Sequence, residues 1–276
     1  MASWELDRAA RSRWIEGCLA EGVTSFDHAD IYGDYQVEAL FGEALAATPG
    51  LRERLQLVTK CGIRLRSSQR PAHYRKSYDS SAAHVVASVE QSLRNLHTDR
   101  IDLLLIHRPD ALMDPDALAE CFQRLREAGK VLAFGVSNHT PSQFAMLHRR
   151  IPLVTNQIEF SPLALGALTD GTLDQAVDLG LPPMIWSPLA GGRLFTADDE
   201  RTRRVRAAVQ SMATAHGVSP STLATAWVLR HPARPVVITG SRRLEAIREA
   251  VAARALRLSA EEWYGIWEAS TGHEVP

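Results

Sequence analysis

The chain of 276 residues has little net charge and no long apolar run. A formal net charge of −1 gives no reason to expect nucleic acid or an anionic membrane surface as a partner. The longest apolar runs, such as Ile101 to Ile106, fall far short of the roughly 20 residues that a membrane helix needs. A hydrophobic fraction of 45% excludes disorder as the dominant state.

Cysteine and lysine are also scarce. The three cysteines, Cys18, Cys61 and Cys121, are odd in number and far apart, which argues against a disulfide framework or a metal site. They predict buried thiols in a reducing compartment. The first 14 residues have early acidic residues and no apolar core, which is unlike a signal peptide, so we expect a cytoplasmic protein.

Short apolar runs alternate with segments of helical spacing along the whole chain. The predicted strands are Thr24–His28, Leu55–Cys61, Ile101–His107, Ala133–Val136, Val154–Ile158, Met184–Ser187 and Val236–Thr239. The predicted helices are Ala9–Glu21, Val37–Ala46, Ala83–Leu96, Pro115–Ala128, Pro141–Arg149, Leu173–Leu179, Arg203–Ala215, Ser221–Leu229, Leu244–Ala253 and Ala260–Ala269.

This alternation predicts an α/β fold in which helices cover a parallel sheet. An open doubly wound sheet and a (β/α)₈ barrel with one strand unaccounted for both remain possible. The chain length favours the barrel, which typically has about 250 residues. No G-x-G-x-x-G follows a strand, which weighs against a dinucleotide-binding open sheet. No linker or repeat divides the chain, so residues 1–276 are interpreted as one domain, and the polar segment 64–79 is expected to border the site.

Polar or aromatic residues stand at the end of each predicted strand, where a barrel opens to its active site. Asp27, Tyr32, Lys60 and His107 form a coherent set among them. A tyrosine is a weak acid, and a nearby lysine ammonium makes it a better one by favouring the phenolate. An aspartate would hold the lysine, and a histidine would orient the reacting oxygen. The set suits protonation of a carbonyl oxygen while a cofactor supplies the hydride that adds to the carbonyl carbon.

Each of these four residues also has a structural interpretation. Lys60 could extend from a strand edge to solvent, and Tyr32 could be a turn aromatic. Asp27 could cap a turn, and His107 could be a satisfied core histidine. Their occurrence together at matching strand ends favours the catalytic interpretation.

The sequence resembles the aldo-keto reductases, and within them the bacterial YdhF-like oxidoreductases. The resemblance is carried by FDHADIYG (26–33), LVTKCG (57–62), IDLLLIHRPD (101–110), GKVLAFGVSN (129–138), TNQIEFSPL (155–163), WSPLAGGRL (186–194) and VVITGSRRLEAIREA (236–250). It implies a barrel enzyme in which Tyr32 is the general acid, Lys60 its partner, Asp27 the carboxylate paired with that lysine, and His107 the orienting histidine.

The resemblance further implies NADP as cofactor. The nicotinamide would be held by Ser137, Asn138, Gln157 and Trp186; the pyrophosphate by the loop of Ser187, Pro188, Leu189, Gly191 and Arg193; and the adenosine end by Gly240, Ser241, Arg242, Arg243 and Glu249. Arg242 and Arg243 favour NADPH over NADH because guanidinium groups suit a 2′-phosphate. In so arginine-rich a chain, a solvated helix start is the alternative for this pair.

The sequence departs from the family pattern at several positions. Ala246 and Ala250 replace an arginine and an asparagine that many members use on the cofactor, and His28 replaces a small hydroxyl residue. The family also has a strand before its first helix. We expect the chain as given to lack that strand, with Trp4 near the pocket, two unpaired sheet edges and lowered stability.

The leading hypothesis is an NADPH-dependent reductase of small-molecule aldehydes or ketones. A barrel that binds the cofactor without catalysis, as a regulatory or truncated protein, is the alternative, and a lyase or isomerase using Lys60 as a Schiff base is a weaker one. No partner other than a small molecule is expected. A monomer is expected, with self-association through open strand edges as the alternative.

Overall fold

The computed structural model describes residues 6–275. The chain divides into two compact units, one ending at Asn156 and the other beginning at Gln157. The strands are β1 Ser25–Asp27, β2 Gln56–Cys61, β3 Ile63–Arg64, β4 Ser77–Tyr78, β5 Ile101–Ile106, β6 Val131–Ser137, β7 Asn156–Glu159, β8 Met184–Trp186 and β9 Val236–Val237. The helices are α1 Arg8–Ala20, α2 Tyr32–Tyr35, α3 Val37–Ala47, α4 Ala82–Leu96, α5 Pro115–Glu127, α6 Pro141–His148, α7 Thr172–Leu179, α8 Arg193–Thr196, α9 Glu200–His216, α10 Pro220–Leu229, α11 Leu244–Ala252 and α12 Ala260–Thr271.

The first unit is built on four parallel strands in the order β1, β2, β5, β6. Their residues are mostly apolar because helices cover the sheet: α1, α3, α4, α5 and α6 pack in succession. The rings of Phe122 on α5 and Phe134 on β6 stack with centroids 4.1 Å apart. The first unit thus has a continuous apolar layer between its helices and its sheet.

The segment predicted as the longest loop begins and ends in a small antiparallel pair. Ile63 of β3 pairs with Tyr78 of β4, and Arg64 pairs with Ser77. Two-residue strands lie below what periodicity detects, so the sequence did not predict them. The pairing closes residues 64–78 into an arm whose two ends are fixed next to β2.

Capping residues mark the beginning or end of several helices. Ser81, Thr140 and Ser219 are N-caps whose hydroxyls accept from the backbone amides of α4, α6 and α10. Gly217 is the left-handed C-cap of α9. Gly129 is left-handed as well, but it lies one residue beyond the C-cap Ala128 of α5.

The second unit contains the parallel strands β7, β8 and β9, and its core is aromatic. Trp227 on α10 and Trp263 on α12 stack with centroids 5.0 Å apart. Each indole Nε1 donates to the other residue's carbonyl oxygen, at 2.8 Å and 3.0 Å. Both buried donors are therefore satisfied, and the pair joins helices that are 36 residues apart in sequence.

Seven parallel strands occur among residues 6–275, which confirms the predicted count. The strand boundaries differ from the predicted ones by at most two residues. In the described residues β1 pairs with β2 and β9 pairs with β8. Trp4 lies outside the described residues. No helix within residues 6–275 has the length and apolar character needed to cross a membrane.

Helices α3 and α4 approach each other closely at Gly42. A β-carbon placed on Gly42 would lie 1.9 Å from the backbone oxygen of Asn95. Backbone cannot move aside as a flexible side chain can, so only glycine fits at this position. The contact sets the distance between α3, which follows the Tyr32 turn, and the helix after the arm.

We predict that Gly42→Ala destabilises the protein by about 1–3 kcal/mol, the usual cost of overpacking, although alanine is the better helix former. Chemical denaturation would measure the free energy of unfolding. Gly166→Ala is the matched control, because a β-carbon added there would have no neighbouring atom within 4 Å. Equal effects of the two substitutions would contradict the close-approach argument.

Candidate active site

Lys60, Asp27 and Tyr32 converge on one buried ammonium group. Lys60 Nζ donates to Asp27 Oδ2 at 2.6 Å, to the carbonyl oxygen of His28 at 2.8 Å and to Tyr32 Oη at 3.2 Å. The Lys60 side chain is 0% exposed and that of Asp27 is 13% exposed. A buried charge is tolerated only when it is paired and hydrogen-bonded, and this lysine is both.

The hydrogen bonds of Lys60 determine which way the Tyr32 hydroxyl can act. An ammonium group has three donors and no acceptor, so Tyr32 Oη is the acceptor of this bond. The hydroxyl hydrogen of Tyr32 must therefore point toward another acceptor. Lys60 Nζ also lies 4.9 Å from the centroid of the Tyr32 ring. This arrangement leaves Tyr32 able to donate a proton and places a positive charge where it would stabilise the phenolate.

His107 completes the predicted set at the end of β5. Its ring lies edge-on to that of Tyr32, with centroids 5.8 Å apart and planes at 79°. Burial, followed by the charges of Lys60 and Arg108, lowers the pKa of His107 to about 3. A neutral imidazole at this position can donate a hydrogen bond to a ligand oxygen through its one N–H. It lacks the second N–H proton that an imidazolium could release.

The ends of the strands and one tight turn of the backbone position the side chains of the candidate site. The amides of His28 and Asp30 donate to the carbonyl oxygens of Val58 and Lys60, which carries the β1 pairing beyond its last strand residue. Gly33, Asp34 and Tyr35 then all have positive φ, between 54° and 66°. Two of these three residues are not glycine, so the left-handed turn is strained by about 1–2 kcal/mol for each of them.

The turn is held by contacts from the arm. Tyr35 Oη accepts a hydrogen bond from the Leu65 amide at 2.9 Å. The guanidinium of Arg70 lies over the Tyr35 ring, 4.7 Å from its centroid. His73 Nδ1 lies 3.1 Å from the carbonyl oxygen of Leu65. The first two contacts fix Tyr35, three positions after Tyr32.

Two carboxyl groups, those of Asp30 and Glu38, lie in the layer behind the strand. Glu38 is 1% exposed, and its oxygens accept from Thr59 Oγ1 at 2.6 Å and from Asn95 Nδ2 at 3.3 Å. Burial raises the pKa of Glu38. Burial and the charge of Glu38 raise the pKa of Asp30 to about 8. This pKa favours the protonated form of Asp30 at neutral pH.

Ser137 and Asn138 lie at the end of β6, as predicted. Asn138 has a positive φ of 56° and its Nδ2 donates to Ser137 Oγ at 2.7 Å. Two neighbours that the resemblance did not single out support them. Asn156 Nδ2 donates to the carbonyl oxygen of His139 at 2.7 Å, and the His139 amide lies 3.3 Å from Asn156 Oδ1. The sequence signal was the run of four polar residues at 137–140.

The remaining predicted cofactor residues belong to the second unit. Gln157 is buried on β7, with its Nε2 3.9 Å from the sulfur of Met184. Trp186 ends β8, and residues 187–192 form an irregular loop that leads to Arg193, the first residue of α8. Positive φ angles occur in that loop at Ser187, Ala190, Gly191 and Gly192. Left-handed residues among right-handed ones turn successive backbone amides toward one side, which suits an anion.

The segment after β9 carries the predicted arginine pair. Arg242 and Arg243 are exposed and follow Gly240 and Ser241. Ser241 Oγ accepts from the Arg243 amide at 3.1 Å, and Arg243 is the N-cap of α11. Glu249 Oε2 accepts a hydrogen bond from Ser221 Oγ at 2.5 Å. That carboxylate joins α11 to the start of α10.

The departure at His28 is a packing feature. The His28 side chain is buried, with its ring 4.4 Å from that of Phe41, and both ring nitrogens lack partners among the described residues. Burial and Lys60 lower the pKa of His28 to about 3, so the ring is neutral. His28 contacts Lys60 through its backbone carbonyl oxygen, which accepts a hydrogen bond from Lys60 Nζ. Within residues 6–275, no group of three or more histidine, cysteine or acidic side chains could hold a metal ion.

Comparison with known proteins identifies the family. Residues 2–270 match the model of the Aldo/keto reductase family. The chain belongs to this family of oxidoreductases. It is 47% identical to oxidoreductase YdhF of Escherichia coli over 100% of this chain and 92% of that protein, which confirms the predicted branch. It is 43% identical to a 6-dehydroglucose reductase of Agrobacterium fabrum over 95% of this chain and 88% of the relative.

Solved structures confirm the fold class. An aldo-keto reductase from Klebsiella pneumoniae, solved in complex with NADPH, is similar with a TM-score of 0.79 and 27% identity, over 100% of this chain and 89% of that one. The fold is thus the α/β-barrel type that the strand and helix pattern predicts.

We predict that the stability conferred by Asp30 falls as pH rises. The folded state holds this proton up to a pKa of about 8, whereas an unfolded aspartate releases it near 3.9. Between these values the native state binds more protons, so unfolding becomes easier by up to about 1.4 kcal/mol per pH unit. In Asp30→Asn this contribution to the slope should disappear, as measured by urea denaturation from pH 5 to 9.

Asp34→Asn is the matched control, because it removes an exposed carboxylate from the neighbouring turn. It should leave the pH dependence of the unfolding free energy as in the parent chain. A parent slope that Asp30→Asn does not alter would refute the assignment of the proton to Asp30.

Proposed function

We propose that the protein is an NADPH-dependent reductase that converts an aldehyde or ketone to an alcohol, with Tyr32 as the general acid. The observation that carries the proposal is the triple donation by Lys60 Nζ to Asp27, the His28 carbonyl and Tyr32 Oη. It directs the phenol hydrogen away from the lysine and places the ammonium beside the oxygen that becomes charged when the proton leaves.

The four residues then have distinct tasks. Tyr32 donates its proton to the carbonyl oxygen as negative charge develops there. Lys60 stabilises the resulting phenolate, and Asp27 holds Lys60 charged and in place. Neutral His107 donates a hydrogen bond that orients the same carbonyl oxygen. Fixed donors of this kind act most strongly in a site with little water, which agrees with the burial of Lys60 and His107.

The residues present fit a phosphorylated dinucleotide. When bound, the nicotinamide would supply the hydride that adds to the carbonyl carbon. Ser137 and Asn138 offer a hydroxyl and an amide for its carboxamide group, with Gln157 and Trp186 proposed for the same end. The left-handed loop 187–192, with Arg193, suits a pyrophosphate, and Arg242 and Arg243 suit a 2′-phosphate. The same cofactor is named for the Klebsiella pneumoniae relative.

Schiff-base chemistry is disfavoured by the state of Lys60. A nucleophilic lysine must be neutral, which requires a desolvated amine or a cationic neighbour. Lys60 instead pairs with Asp27 at 2.6 Å and uses its donors on three acceptors. A barrel that binds the cofactor without catalysis would not require this arrangement of hydrogen bonds around Lys60.

We also propose a cytoplasmic location and a small-molecule substrate as the only partner. The three thiols are buried and free. Burial raises the pKa of Cys18 to about 11, which keeps it protonated and unreactive. Such thiols suit a reducing compartment.

Replacing Tyr32 with phenylalanine should abolish carbonyl reduction while leaving NADPH affinity within about 2-fold. The substitution keeps the ring and removes the acid, and general acid catalysis typically contributes 10²–10⁴-fold. NADPH oxidation at 340 nm with 4-nitrobenzaldehyde would measure turnover, and fluorescence titration would measure binding. Tyr78→Phe, which alters an exposed tyrosine of the arm, serves as the control. A Tyr32→Phe enzyme with most of its activity would exclude Tyr32 as the acid, and a parent chain that binds NADPH without turnover would favour the non-catalytic alternative.

The double substitution Arg242→Ala/Arg243→Ala should weaken NADPH binding by roughly 10-fold or more and NADH binding much less. The reason is that charge-assisted hydrogen bonds to a phosphate are lost only with the phosphorylated cofactor. Arg254→Ala, a change at another exposed arginine of the second unit, should alter neither affinity. Equal weakening of both cofactors would argue against a 2′-phosphate site.

A further inference from the structure

The basic arm, residues 64–78, has an unusual charge composition. It contains five cationic side chains and no acidic residue. Arg64 at its base lies 3.5 Å from Asp79, but no carboxylate lies within ion-pair distance of Arg66, Arg70, Arg75 or Lys76 among residues 6–275. Asp34 in the neighbouring turn is an exposed carboxylate. The positive charge of these four side chains is therefore not balanced by an ion pair within residues 6–275.

The arm is attached to the catalytic turn rather than extended into solvent. Leu65 donates its amide to Tyr35 Oη, and Arg70 lies over the Tyr35 ring. Tyr35 is three residues after Tyr32, so these contacts join the arm to the turn that follows the proposed acid. The charge of Lys76 is felt at His107, where it acts with Lys60 and Arg108 to disfavour the protonated ring. Lys76 is thus within electrostatic range of His107.

Residues of the arm line a cavity of about 730 Å³ that is open to solvent. Its lining combines a cation, two hydroxyls, an imidazole and an aromatic ring: Arg66, Ser67, Ser68, His73 and Tyr74, together with Pro71. Arginine and serine hydroxyls are donors for carboxylate or phosphate oxygens. Tyr74 is 77% exposed, and an exposed aromatic ring beside such donors can cover the apolar part of a small ligand.

We propose that this cavity binds the anionic end of a carbonyl substrate that carries a carboxylate or a phosphate, with Arg66 as the specificity-determining contact. The inference rests on the proposed reductase function. Arg66 takes the anion in the cavity, Lys76 adds attraction on the side of His107, and Tyr35 fixes the arm relative to Tyr32. Neutral aldehydes would still be reduced, but without the gain that the anion provides.

The test compares two substrates of the same shape, 4-carboxybenzaldehyde and its neutral amide, 4-carbamoylbenzaldehyde. At low ionic strength the parent enzyme should prefer the carboxylate by about 10-fold in kcat/KM, which is typical of one charge-assisted hydrogen bond. Arg66→Gln should remove most of that preference without changing kcat/KM for the amide. Salt should reduce the preference because the site is open to solvent. Arg149→Gln, at an exposed arginine outside the arm, should leave it intact.

A second measurement does not depend on turnover. Terephthalate should bind the parent enzyme in calorimetric titrations at least 5-fold more tightly than it binds Arg66→Gln. If terephthalate binding depends on Arg66 but neither aldehyde is reduced, the anion site stands and the reductase function fails. If both aldehydes are reduced equally well and terephthalate does not bind, the function stands and the inference is overturned. A loss of NADPH affinity in Arg66→Gln would also overturn it, because the cation would then serve the cofactor.

If phosphate rather than carboxylate is the natural anion, glyceraldehyde 3-phosphate should exceed glyceraldehyde in kcat/KM by more than 4-carboxybenzaldehyde exceeds its amide. The reverse order would identify a carboxylate. Arg66→Gln should reduce either preference.

Discussion

The buried ammonium of Lys60 is the interaction on which the rest of the site depends. Removing a charge of this size from water costs several kcal/mol even after relaxation, so its place in the fold must be compensated. Asp27, the His28 carbonyl and Tyr32 Oη provide that compensation on three sides. Each acceptor is thereby fixed as well. The same bonds that make Lys60 tolerable in the core determine where Tyr32 lies and which way its hydrogen points.

The turn after Tyr32 shows how strain and contact are combined. Asp34 and Tyr35 adopt left-handed backbone angles that L-residues disfavour. The turn is held by the Leu65 amide and by Arg70, both from the basic arm. Because the arm is itself closed by the β3–β4 pair, a local distortion next to the phenol is stabilised by residues 30 or more positions later. Strain of this kind tends to persist where the surroundings over-determine it, as at functional sites.

The residues that converge at the candidate site could be predicted from the sequence, whereas their supporting layer could not. Asp27, Lys60 and His107 follow apolar strand runs, and the geometry of parallel strands brings such ends together. Helix boundaries agree with prediction to within about three residues because capping residues are local signals. Glu38, in contrast, occupies an ordinary helical position, and its burial depends on partners from other elements. The left-handed angle at Tyr35 and the stacked tryptophan pair of the second unit likewise depend on residues distant in sequence, which no local pattern marks.

The charges around Lys60 also restrict which group can deliver a proton in the proposed reaction. A second cation beside the buried ammonium would be repelled by it, and this repulsion adds to burial in lowering the pKa of His107 and holding it neutral. His28, which follows β1, is kept neutral by burial and by the charge of Lys60 as well. Behind the strand, Asp30 holds a proton, but it lies in the layer with Glu38 rather than beside the phenol. These constraints support the proposal that Tyr32, rather than a protonated His107, delivers the proton. The neutral imidazole keeps one N–H, which suits it to orient the carbonyl oxygen.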